Sequence, residues 1–119
     1  MSDRLILDET VIRRLQTLGG DEFVGEMLDI FLDQAPRRID AALDGARAHS
    51  LDAVRRAAHS LVSAAGHMGA RRMLRLAEEL EAAASGQDWD SVRRLLPALV
   101  PTFAEAAAEL DRWRARVAA

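Results

Sequence analysis

Apolar residues recur at intervals of three and four along most of the chain, and nowhere do they alternate with polar residues for long enough to make a strand. That pattern restricts the chain to helices. The first run is Val11, Ile12, Leu15 and Leu18, with Asp8 as a candidate N-cap and Gly19-Gly20 as its end. A helix of about ten residues is marginal alone, so this one is expected to lie across one end of a bundle.

Asp21 opens a longer helix. Its apolar residues Phe23, Val24, Met27, Leu28, Ile30, Phe31 and Leu32 cover more than one narrow stripe, which points to a second contact besides the core: a partner protein or another neighbouring helix. Pro36 has no N–H to give the Leu32 carbonyl, so a kink or a restart at Asp33 is expected. Ile39, Ala42, Leu43 and Ala46 then carry the stripe to a loop near His49, and Ser50 offers the next N-cap. Gly66 and Gly69 weaken the end of the helix that follows. Leu74, Leu76, Ala77 and Leu80 mark another, ended by Ser85-Gly86. From Trp89 to Trp113 runs a last helix or helix pair, with a bend or brief break expected at residues 98–102 between Pro97 and Pro101. The expected fold is all-α: an antiparallel four-helix bundle with an additional short N-terminal helix, one domain over residues 1–119.

Composition narrows the function. At 50% hydrophobic and 29% charged the chain reads as globular, and no apolar run is long enough to span a bilayer. Its start, Met-Ser-Asp-Arg-Leu-Ile-Leu-Asp-Glu-Thr, lacks the apolar core of a secretory leader, so a cytoplasmic location and no membrane partner are expected. A net charge of -3 argues against a general nucleic-acid binder. Without cysteine there is no thiol chemistry and no thiolate metal site.

The stretch from Val54 to Ala70 carries the one candidate for chemistry. At about 100° per residue, Val54, Ala57, Leu61, Ala64, Ala65 and Met68 gather opposite His59. The imidazole therefore points away from the core. Arg55 and Arg56 stand beside it one turn before, Val62 and Ser63 one turn after, and Gly66 two turns after. A neutral imidazole attacks phosphorus without a base, provided the ring is held on an open surface and a partner brings the phosphoryl group. The alternative is a histidine that is merely solvated.

Ala58-His59, Leu61, Ala64, Ala65, Gly69-Ala70 and Leu80-Glu81 resemble the signature of histidine-containing phosphotransfer (HPt) domains. Two positions depart from it: Val62 stands where the family usually has lysine, and Ser63 where it has glycine. The resemblance implies that His59 takes a phosphoryl group from a receiver-domain aspartate and passes it to another. It also implies receiver domains and a hybrid histidine kinase as partners, a monomer whose histidine face is open to each in turn, and Mg²⁺ supplied by the receiver, with no cofactor of its own. Either Arg55 or Arg56 supplies positive charge to the phosphoryl group, in partial replacement of the missing lysine, or both are simply solvent-exposed; Ser63 narrows the space for a receiver. Docking is expected on Leu28, Phe31 and Leu32 and, flanking His59, on Val62 and Gly66.

Other chemistry finds no support. The tetrad Ala-His-Ser-Leu occurs at residues 48–51 as well as 58–61, but His49 falls in a loop; His67 reads as a solvated residue near a helix end. Histidine pairs at metal-ligand spacing, a nucleophile elbow and a glycine-rich phosphate loop are all lacking, so neither a metal site nor an ATP-using kinase is expected. The competing reading is an HPt-like adaptor that docks a receiver or kinase without being phosphorylated.

Overall fold

The computed structural model describes residues 5–118; residues 1–4 of the opening stretch read above for a leader, and residue 119, lie outside them. Its elements are α1 (Glu9–Arg47), α2 (Leu51–Met68), α3 (Arg71–Ser85), α4 (Trp89–Leu95), a 3₁₀ turn (Leu96–Ala98) and α5 (Leu99–Ala118). There is no strand among the described residues.

Gly20, at φ 75° and ψ -174°, breaks α1 into a short limb over 9–19 and a long one over 21–47. Only a residue without Cβ adopts that conformation cheaply, so the turn falls at the predicted glycine pair. The long limb, α2, α3 and the α4–α5 segment form the antiparallel bundle, and the short limb is the additional N-terminal helix. Asp8 caps the short limb, accepting from the Thr10 N–H at 3.0 Å; Ser50 caps α2, accepting from the Ala53 N–H at 3.1 Å. Both caps satisfy orphan N–H groups of a first turn, as the sequence predicts.

The core joins Ile12, Val24, Leu28, Ile39, Val54, Leu61, Met68, Met73, Leu80, Val92, Leu99 and Leu110, all fully or almost fully buried. Two expectations need correction. No restart occurs at Asp33: apart from Gly20 the α1 backbone stays helical, through Pro36. Phe31, Ala35 and Ile39, buried on either side of the proline, hold that stretch against the core and outweigh one missing hydrogen bond. The break in the last helix falls at Leu96–Ala98, with Pro97 in the tight turn, while Pro101 lies in the first turn of α5, where a missing N–H costs little.

Candidate functional site

Helix α2 presents the site. Val54, Ala57, Ala58, Leu61, Ala65 and Met68 are its buried residues, and the His59 side chain, on the far face, is 67% exposed. The helix ends at Gly69, in the left-handed region at φ 75°, where the Ala70 N–H returns to the Ala65 carbonyl at 2.9 Å. The Gly69 carbonyl accepts from the Asp8 N–H at 2.7 Å, which ties the N-terminal segment to the end of the histidine helix. The Gly69-Ala70 pair is thus structural, and Ala70 is fully buried.

Helix α3 supplies the partner of the imidazole. Met73, Ala77, Leu80 and Ala84 seat α3 on the bundle, which turns Glu81 toward α2. Its Oε2 lies 2.7 Å from Nδ1 of His59. A carboxylate only accepts, so Nδ1 carries the proton and donates. In the neutral ring, Nε2 then holds the lone pair and points to solvent. Sequence reasoning included Glu81 in the family signature but did not pair it with His59. The available signal was Glu81 following the core residue Leu80 on the next helix, and using it requires the register between two helices.

Arg55 and Arg56 are both engaged one turn back. Arg55 Nη2 lies 2.9 Å from Oδ1 of Asp52, and Arg56 Nε lies 3.1 Å from Oδ2. The hydrogen bond from Arg55 holds the Asp52 carboxyl below its ordinary range against the opposing effect of desolvation, with the charge of Arg56 and Arg55 adding to it. These pairs are solvent-exposed and weak, so they leave either arginine free to turn toward another anion. Ser63 is exposed, whereas Val62 and Gly66 are half-buried on the flanks of the histidine face.

The apolar run of α1 divides differently from the expectation. Leu28 and Phe31 are 0% and 2% exposed, so they belong to the core and offer no docking surface. Phe31 stacks on Phe103 of α5 with ring centroids 5.5 Å apart, which identifies a second neighbouring helix as the reason for the broad apolar face. Leu32 is half-buried, and Ile30, 49% exposed, is the residue of this run that faces outward. A shallow apolar groove joins Met27, Ile30, Phe31 and Gln34 of α1 to Ala64, His67 and Met68 of α2. His49 lies in the turn after α1, its ring edge-on to Trp89 at 6.1 Å, at a distance in sequence and element from the His59 face. No group of three or more histidine, aspartate or glutamate side chains among the described residues is placed to hold a metal ion. No described helix is long and apolar enough to cross a membrane.

Comparison with known proteins agrees with this geometry. The structure is similar to histidine-containing phosphotransfer protein B (HptB) of Pseudomonas aeruginosa PAO1, at 26% identity and a TM-score of 0.87, covering 95% of this chain and 97% of that one. It shares its fold with the histidine-containing phosphotransfer domain of ArcB from Escherichia coli, at 17% identity and a TM-score of 0.82, covering 98% of this chain and 99% of that one. A search of curated protein sequences gives no match. The family model of the Hpt domain matches residues 26–116, most of the chain and all of the site, so the chain belongs to the Hpt domain family, the phosphotransfer proteins of two-component signalling.

Proposed function

We propose that His59 is the phosphoacceptor of a multistep phosphorelay. The observation that carries this reading is the exposed imidazole whose Nδ1 is engaged by Glu81 at 2.7 Å. Nε2 attacks the phosphorus of a receiver's aspartyl phosphate; the N–P bond forms as the acyl O–P bond breaks, and the aspartate leaves as its carboxylate. The positive charge that develops on the ring is met by the Glu81 carboxylate through Nδ1–H. A second receiver reverses the step, its carboxylate taking the phosphoryl group and His59 returning to the neutral ring. Mg²⁺ bound by the receiver neutralises phosphoryl oxygens in either direction. Arg55 and Arg56 add positive charge at the α2 end of the phosphoryl group, and Ser63 borders the approach.

In this reading residues 1–119 work as one monomeric domain in the cytoplasm, between a hybrid histidine kinase and receiver domains. The protein is a carrier without an ATP site. The departures at Val62 and Ser63 favour the second reading, a docking adaptor that is not phosphorylated. Transfer from a panel of phosphorylated receiver domains separates the two. Acid-labile, base-stable label on the wild type that vanishes in His59→Gln is expected; receiver binding without any label supports the adaptor.

A further inference from the structure

A groove of about 340 Å³ opens between α1 and α2, lined by Arg38, Ala41, Ala53, Arg56, Ala57 and Ser60. Alanine at three of those positions leaves room between the helices, and Ser60 follows His59 directly, so the groove ends beside the reactive residue. Its lining carries two guanidiniums and no carboxylate. Arg37 pairs with Asp33 at 3.3 Å and Arg47 with Asp44 at 2.8 Å, but Arg38 forms no ion pair or hydrogen bond among the described residues. Arg56 has only its Nε on Asp52. On a chain of net charge -3, two guanidiniums thus flank one groove, one of them uncommitted. Across His59 stands Glu81. The reactive face is positive toward α1 and negative toward α3.

Building on the phosphoacceptor reading of His59, we propose that this groove receives an aspartate or glutamate side chain from the docking face of the receiver domain, and so fixes the orientation in which the receiver meets the imidazole. A phosphoaspartate site is built from carboxylates, and its approach to a protein of like net charge needs local positive charge to succeed. The planar fork of arginine matches a carboxylate in shape and charge. A small free anion is a poorer occupant. The groove is open to solvent, and beyond the two guanidiniums only the Ser60 hydroxyl is there to replace a hydration shell.

The test measures binding by calorimetry, at low and high salt, to whichever unphosphorylated receiver domain of the panel binds the wild type tightest. Arg38→Glu is expected to weaken binding about tenfold and flatten its salt dependence, with Arg38→Ala at about threefold. Phosphorylation of His59 by phosphoramidate, a donor with no docking surface, is expected to keep its wild-type rate in both variants. Substituting the receiver's acidic residues by arginine, one at a time, should restore binding to Arg38→Glu at one position. Unchanged affinity and salt dependence in Arg38→Glu, an equal loss of phosphoramidate labelling, or a panel in which no receiver binds would each overturn the groove. Failure of phosphoramidate to label the wild type would instead count against His59 as phosphoacceptor, with the calorimetry still deciding the groove.

Discussion

Nδ1 of His59 and Oε2 of Glu81 meet at 2.7 Å across the interface between α2 and α3, with the carboxylate 28% exposed and the ring 67% exposed. One atom of the ring is thereby fixed and the other left free. Glu81→Ala should release the ring to sample both tautomers, visible as averaged ¹⁵N shifts of the imidazole, and slow phosphorylation about tenfold. Glu81→Gln keeps an oxygen that accepts from Nδ1 but removes the charge. It should therefore hold the tautomer while losing part of the rate, which separates orientation from charge stabilisation.

Gly66 and Gly69 look alike in the sequence and differ in the structure. A Cβ on Gly69 would lie 2.8 Å from the Asp8 carbonyl oxygen and 3.0 Å from Cβ of Val11, at a φ of +75°. Gly69→Ala is expected to cost about 2 kcal/mol or more in urea unfolding. A Cβ on Gly66 would meet only Cδ1 of Leu74, at 4.0 Å. Gly66→Ala should therefore stabilise the protein by about 0.5–1 kcal/mol. If a receiver packs over that flank of His59, the same variant transfers phosphoryl more slowly although it is more stable.

The contrast shows what kind of information the sequence carries. The Asp8 and Ser50 caps, the break at Gly20 and the outward face of His59 follow from interactions within four residues, and periodicity and cap chemistry were enough to place them. The Glu81 pairing depends on how far α3 is shifted and rotated against α2, which no local spacing records. The burial of Leu28 and Phe31 depends on α5 arriving at Phe103. Pro36 obeys the local rule in losing a hydrogen bond, yet the packing of its neighbours keeps the helix whole.

Leu28 and Ile30 turn that division into a measurement. Leu28→Ala empties a fully buried position and should cost about 2–5 kcal/mol. Ile30→Ala, at a position 49% exposed, should leave stability within about 0.5 kcal/mol of wild type. Receiver affinity is expected to fall for Ile30→Ala while the fold, judged by circular dichroism and the unfolding midpoint, is unchanged.

Ser63 is exposed on the face that a receiver must approach. Ser63→Gly removes a hydroxymethyl group from that approach, so single-turnover transfer from a receiver should quicken. Phosphoramidate labelling, which needs no docking, should not change. The glycine costs the helix about 0.5 kcal/mol, a loss the unfolding midpoint reports separately.

Asp8 links the folding of the N-terminal limb to pH. The Thr10 hydroxyl, above all, and then the Thr10 N–H donate to its carboxylate, Arg71 adds positive charge, and together they outweigh desolvation and hold the Asp8 carboxyl below its ordinary range. The folded protein therefore binds this proton more weakly than the unfolded chain does. It follows that the cap's contribution is fully present above the ordinary carboxylate value and is lost as pH falls through the lower, folded one. Asp8→Ala should cost about 1 kcal/mol near neutral pH. In urea titrations the gap between wild type and variant should begin to narrow as pH falls through the ordinary carboxylate range and go on narrowing below it. A gap that stays constant across that range would mean that the cap works through the Thr10 pair without the charge on Asp8.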